Sequence, residues 1–187
     1  MSLPNPLLRY IIAGQLKRNY TITTEGTAAI DVPGGSLLYA AVGAKIWDEN
    51  IGLLGRVGED YPQEWLAKLE RLNFDRRGIT IIPEALDLRN FNAYPDPDTR
   101  QTNNPVSHFA RLGLSFPRAL LDYSTPPPQL DSRTQLQPGS IRTIDIPPEY
   151  MDATAVHICP MDYLTNPLLP SSFRQGNVQN ITLEPSD

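Results

Sequence analysis

The stretch from Asp31 to Asp60, DVPGGSLLYAAVGAKIWDENIGLLGRVGED, constrains this chain more than any other part of it. Two adjacent glycines, Gly34 and Gly35, follow a proline and open a run in which Leu37, Leu38, Ala41, Ala44, Ile46 and Trp47 recur at helical spacing. The helix is predicted from Ser36 to about Asp48, with the Ser36 hydroxyl placed to cap its first turn. Ile51 to Val57 (IGLLGRV) predicts a strand, and Gly58-Glu59-Asp60 turns into a second helix. Asp60 and Gln63 form a capping-box pattern, with Pro62 in the first turn, where its missing N–H costs little. Trp65, Leu66, Leu69 and Leu72 make that helix's apolar stripe, and both Trp47 and Trp65 read as core.

Outward from this stretch, Leu7 to Gly14 is a short β-rich run ended by glycine, and Gly78 to Ile82 is another. Strand, helix, strand, helix, strand at these spacings is the pattern of a parallel sheet with crossover helices. Tyr20 to Ile30 alternates around Glu25-Gly26 as a hairpin would, with one apolar and one polar face. Leu88 to Tyr94 alternates again before the polar turn Pro95 to Asn104, which predicts a second open-faced pair beside the first. Between Pro105 and Pro148 the signals weaken to a helical turn or two around Pro117 to Tyr123 and an extended, proline-braced loop from Ser124 to Pro138. A short helical segment is predicted at Glu149 to Asp152, strands at Ala155 to Cys159 and Val178 to Leu183, and weak helix at Pro167 to Gln175. Glu184-Pro185-Ser186-Asp187 is the kind of acidic strand-end turn that leads into a further helix.

Composition narrows the function classes. A chain of 187 residues with 40% apolar content can bury a real core, and it contains no apolar run long enough to span a bilayer. The start lacks the charged-then-apolar pattern of a secretory signal, and one cysteine, Cys159, cannot form an internal disulfide, so a cytoplasmic location is expected. A net charge of -5 without a basic stripe argues against nucleic acid as partner. The 19 prolines, concentrated after residue 90, call for long ordered loops in the second half.

The glycine pair has two readings. One is a turn before a helix. In the other, the missing side chains let a polar ligand reach the N–H groups at the helix start, which lack intrahelical partners. The wider context favours the second. Pro33-Gly34-Gly35, then Ala40-Ala41, then Gly55-Arg56-Val57-Gly58-Glu59-Asp60 resembles the first signature of the ribokinase-like (PfkB-type) carbohydrate kinases. Ile12-Ala13-Gly14 is similar to that family's first strand, Asn73 to Gly78 to its helix exit, and AVHICP and ITLEPSD to its mid-chain strands.

The resemblance implies an α/β fold, a mostly parallel sheet flanked by helices plus a small β lid. Residues 1–187 would form a single, incomplete domain of this kind, with lid strands near 20–30 and 88–104 and the C-terminal part of the fold absent. It further implies ATP-dependent phosphorylation, with Mg2+, of a hydroxyl on a sugar or nucleoside-like substrate, and a homodimer formed through the lid. The substrate-binding residues implied are Gly34, Gly35, Asn19 and Tyr39. Three positions depart from the family pattern. Asn19 stands for a common aspartate and can bond a hydroxyl without being a charged acceptor. Tyr39 stands for an asparagine and Glu184 for an aspartate. The family's second signature, a Gly-Ala-Gly-Asp segment that supplies the catalytic base and anion hole, does not occur, so no catalytic residue is assigned and the ATP segment is expected outside these residues. Two alternatives stay open: a non-catalytic ligand-binding or dimerising module of the same fold, and an unrelated α/β domain with a structural glycine turn.

Other residues invite less. His108 and His157 are too lightly accompanied for a metal site, and His157 in the apolar AVHIC run reads as a strand histidine. Cys159 lacks the third partner a nucleophilic thiol needs. Asp96, Asp98 and Arg100 form either a solvated loop or a lid-tip contact, and Arg100 and Arg111 can meet an anionic group.

Overall fold

A computed structural model describes residues 8–124 and 134–185; most of the loop expected from Ser124 to Pro138 lies outside them, as do Ser186 and Asp187. The described residues divide into two compact units, one of 8–16, 36–86 and 134–185, the other of 17–35 and 87–124.

The first unit is a parallel sheet with helices. Its strands are β1 (Tyr10–Ala13), β4 (Ile51–Gly58), β5 (Phe74–Ile82), β8 (Ala155–Ile158) and β9 (Asn180–Leu183), in the order β5-β4-β1-β8-β9. Every pairing in it is parallel. Near-continuous apolar runs such as YIIA and IGLLGRVG suit strands buried on both faces. The helices are α1 (Ser36–Lys45), α2 (Gln63–Arg71) and α4 (Thr165–Phe173). Ile11, Leu54, Val156 and Ile158 pack with Leu169 and Phe173 of α4 and with Tyr150 of a 3-10 turn at Pro148–Asp152.

Tyr150 is fully buried, so its phenol needs partners. It donates to the carbonyl of Asp75 at 2.9 Å and accepts from the N–H of Gly78 at 3.3 Å. The ring fits because Gly52 and Gly78 have no side chain. A Cβ on either would stand 2.8 Å and 2.7 Å, respectively, from ring carbons. This explains a glycine in each of β4 and β5.

The second unit is a sheet of β2 (Lys17–Ile22), β3 (Ala28–Gly34), β6 (Arg89–Asp96) and β7 (Thr99–Gln101), in the order β3-β2-β6-β7. β2 and β3 form the hairpin legible around Glu25-Gly26, while β2 pairs parallel with β6. Their register sets Tyr20 beside Phe91 and Ile22 beside Ala93 on one face, and Asn19 beside Asn90 and Thr21 beside Asn92 on the other. The apolar face packs against Phe109 of α3 (Pro105–Arg111) and Leu120.

Four local expectations are corrected. α1 ends at Lys45, and only Leu37 and Ala41 of it are buried, so Ile46 and Trp47 fall beyond its last turn and are 78% and 85% exposed rather than core. Asp60 does not cap α2, which begins after Pro62 with no side-chain cap. Its carboxylate instead accepts the N–H of Leu86 at 2.9 Å and ties the turn after β4 to the exit of β5. β5 starts four residues earlier than Gly78, at Phe74. A helix occupies Pro105–Arg111, where the sequence signal was weak, with proline at its start as helix N-termini favour.

Tyr150→Phe leaves the Asp75 carbonyl and Gly78 N–H short of a partner and is expected to cost about 1–3 kcal/mol. Gly78→Ala places a methyl 2.6 Å from the Leu53 carbonyl oxygen and 2.7 Å from the Tyr150 ring, and is expected to cost at least as much. Urea midpoints at unchanged slope check both. A midpoint equal to wild type in either variant contradicts the packing described.

Candidate functional site

The polar face of the small sheet is built by the alternation of two short strands. In β2 the odd positions Asn19 and Thr21 share it, and in β6 the pattern Asn90-Phe91-Asn92 adds two more amides. Asn19 and Asn92 are 6% and 8% exposed. The Asn19 side-chain oxygen accepts from Asn90 Nδ2 at 3.1 Å, which orients both amides. The sequence reading singled out Asn19 but missed Asn90 and Asn92. Their signal was present in LRNFNAY, where one-residue spacing puts both on one face.

Gly34 ends β3 and pairs in register with Lys17, two residues from Asn19. A Cβ at Gly34 would lie 2.0 Å from Asn19 Nδ2. The space that glycine leaves is therefore filled by the Asn19 amide, and glycine at 34 serves to seat that amide. Gly35 has φ +103°, a conformation L side chains rarely adopt, and makes the turn from β3 into α1. The structure thus brings Asn19 and Gly34 together and gives Gly35 a distinct, conformational role. Tyr39 lies on α1, in the other compact unit, and is 68% exposed.

The start of α1 is held by β1's exit. The Gln15 N–H donates to Ser36 Oγ at 3.3 Å, and the Leu37 N–H donates to the Gln15 carbonyl at 3.2 Å. A Cβ on Gly14 would stand 3.0 Å from both Leu37 N and Cys159 Cβ, so the helix start approaches this strand end closely. Burial pushes the Cys159 thiol up to about 11, partly offset by a hydrogen bond with Ser36, which keeps it protonated and unreactive at neutral pH. His157 lies on β8 with Nδ1 2.9 Å from Thr182 Oγ1.

Charge on β2, β3 and the start of β6 is paired. Arg18 donates to both carboxylate oxygens of Asp31, at 2.9 and 2.7 Å. Asp31 has φ +53° at an irregularity of the β2–β3 ladder. The Arg18 hydrogen bonds hold its carboxyl below the usual carboxylate range, against the opposing push of burial. Burial lowers the Lys17 ammonium, and the Asp87 carboxylate opposes that shift. Asp87 is in turn bound by Arg89 at 2.7 Å. Among the described residues, no three His, Cys, Asp or Glu side chains come together as a metal site.

No family model matches the sequence. A cytidine kinase of Thermococcus kodakarensis is 29% identical over 77 residues, which are 41% of this chain and 27% of that protein. Among solved structures, a PfkB protein from Polaromonas sp. JS666 superposes with a TM-score of 0.57 at 13% identity, covering 94% of this chain and 55% of that one. A double-mutant fructokinase from Vibrio cholerae O395, with fructose, ADP and potassium ion bound, gives 0.55 at 14% identity, covering 95% of this chain and 50% of that one. The described residues therefore have the α/β fold of the ribokinase-like sugar kinases. The chain spans about half the length of these solved structures.

Gly34→Ala is expected to push the Asn19 amide off Asn90 and to cost about 1–3 kcal/mol. In a double-mutant cycle with Asn19→Ala, the pair should cost clearly less than the sum of the singles, because the clash is removed with the amide. Additive costs would contradict the contact. Asp31 has a depressed folded-state value, so its contribution to stability is fully present above the unfolded carboxylate's value of about 3.9 and is lost as pH falls through the lower folded value. Asp31→Asn should lower stability at neutral pH and flatten the acid limb of the stability-against-pH curve. An unchanged acid limb would count against the Arg18 pairing.

Proposed function

We propose that this chain is the substrate-binding and lid portion of an ATP-dependent carbohydrate kinase acting on a hydroxyl of a sugar or nucleoside-like substrate. The observation that carries the reading is the amide floor of the small sheet, Asn19 bonded to Asn90 and seated on Gly34. Amides offer both donors and acceptors, which suits hydroxyl groups that also do both. Support comes from the fold, from the fructose-bound fructokinase and from the partial match to a cytidine kinase.

In this proposal Asn19 takes a substrate hydroxyl, Gly34 seats Asn19, and Gly35 shapes the turn into α1. Tyr39 is proposed as a further contact from its place in the sequence motif. The sheet containing Asn19 acts as the lid. ATP and Mg2+ would supply the transferred phosphoryl group and its charge neutralisation. The described residues do not fit those groups: they bring together no metal-holding cluster, and the sequence contains no Gly-Ala-Gly-Asp segment. The 187-residue chain by itself is proposed to bind substrate without turning it over.

A second reading, a dimerising module, is favoured by β3. It is an edge strand on which Ile30 and Val32 are 46% and 37% exposed. Such a dimer is compatible with substrate binding.

Calorimetry of the 187-residue chain against a panel of sugars and nucleosides tests the first reading. At least one member should bind saturably, and Asn19→Ala should weaken it about tenfold, the effect of losing a hydrogen bond from a buried site. ATP added with that ligand should yield no ADP. A panel without a binder, or turnover by the chain alone, overturns the proposal. Sedimentation at rising concentration tests the second reading, and an Ile30→Lys variant should remove any dimer.

A further inference from the structure

A cleft of about 310 Å³ opens at the turn end of the small sheet. It lies on the side opposite Asn19, because Ile22 and Ala93, from the apolar face, line it. Its volume falls in the range of about 300–1,000 Å³ typical of small-molecule sites. Leu112 adds to the apolar wall, and the ionisable groups of the wall include Arg111, His108 and Glu25.

Arg111 and His108 are joined. Arg111 Nη2 lies 3.1 Å from His108 Nδ1. A guanidinium can only donate, so Nδ1 is the acceptor and the ring proton sits on Nε2. His108 is 6% exposed and packs tilted against the Phe91 ring, 5.6 Å between centroids, so it is a buried buttress. Burial and the Arg111 charge hold its basicity below the ordinary value, which keeps it neutral beside the guanidinium. Among the described residues, no carboxylate lies within ion-pair distance of Arg111. The guanidinium is thus charged, braced on one edge by a neutral ring, and has donors left over at a cleft whose largely polar lining includes an apolar strip of Ile22, Ala93 and Leu112.

We propose that this cleft binds a small organic monoanion, its carboxylate on Arg111 and its apolar body against Ile22, Ala93 and Leu112. Glu25, the acidic residue of the same wall, sets the charge preference. It tolerates one negative charge balanced by Arg111 and repels a phosphate dianion. The site is separate from the amide floor and stands whether or not the chain serves a kinase.

The test is a titration of the 15N-labelled 187-residue chain with benzoate and butyrate, with inorganic phosphate and neutral benzamide as parallel arms. Amide shifts of Thr24, His108 and Arg111 are followed. Both carboxylates should saturate these shifts, phosphate should bind several-fold more weakly, and benzamide should not saturate. Arg111→Gln should weaken the carboxylates about tenfold or more, as loss of a charge-assisted contact does. Glu25→Gln should bring phosphate closer to the carboxylates, and Asn19→Ala should leave all arms unchanged. Arg111 is exposed, so its variant keeps the fold, which a dispersed spectrum verifies. Absence of saturation by either carboxylate overturns the proposal. So does equal binding of benzamide, tighter binding of phosphate, or indifference to Arg111→Gln in a folded chain.

Discussion

The architecture depends on one closure. The chain leaves the parallel sheet at Gly14, runs through residues 17–35 in the other compact unit, and returns to the first unit at Ser36, the start of α1. Gln15 and the first turn of α1 join the two ends of that excursion by paired hydrogen bonds, and Gly14 lets the helix start come close. Closing a loop costs entropy that grows only slowly with its length, so a well-bonded junction can support a long insertion. Gly35, at φ +103°, turns the returning strand into the helix. The glycines at 14, 34 and 35 therefore answer three separate demands: close packing, a seat for an amide, and a backbone angle.

The small sheet shows how little sequence is needed to make two different surfaces. Alternation in β2 and β6 sends Tyr20, Ile22, Phe91 and Ala93 to a core with Phe109 and Leu120, and sends Asn19, Thr21, Asn90 and Asn92 the other way. The apolar side provides the stability, with Phe91 packed near Phe109 at 6.2 Å. On the polar side, the hydrogen bond from Asn90 lowers the cost of burying the Asn19 amide. A third feature, the cleft beside Arg111 and His108, arises where the apolar side runs out at the hairpin turn.

Much of the fold was legible in the sequence. The apolar runs of β1, β4 and β8 are neighbouring parallel strands of the first unit's sheet, and strand-helix alternation announced that sheet. What was illegible depended on contacts distant in sequence. Nothing local shows that Asp60 will serve Leu86 instead of its own helix, 26 residues away. Trp47 has helical spacing, yet α1 stops two residues before it. The four extra residues of β5 include Asp75, Arg76 and Arg77, whose charges hide a strand. At the candidate site, Asn19 and the glycine pair were visible through their motif. The reason for Gly34 was not, because it lies in the position of another residue's side chain.

The central claim is that the amide floor of the small sheet is a ligand surface, and the side-chain NH2 resonances of Asn19 and Asn90 report on it directly. Their spectra should be recorded while the chain is titrated with sugars and nucleosides. On this account, a binding sugar or nucleoside shifts both NH2 pairs together, with the saturation of a single site, and leaves the Arg111 and His108 signals in place. Binding that moves backbone signals elsewhere while both NH2 pairs stay fixed would contradict it.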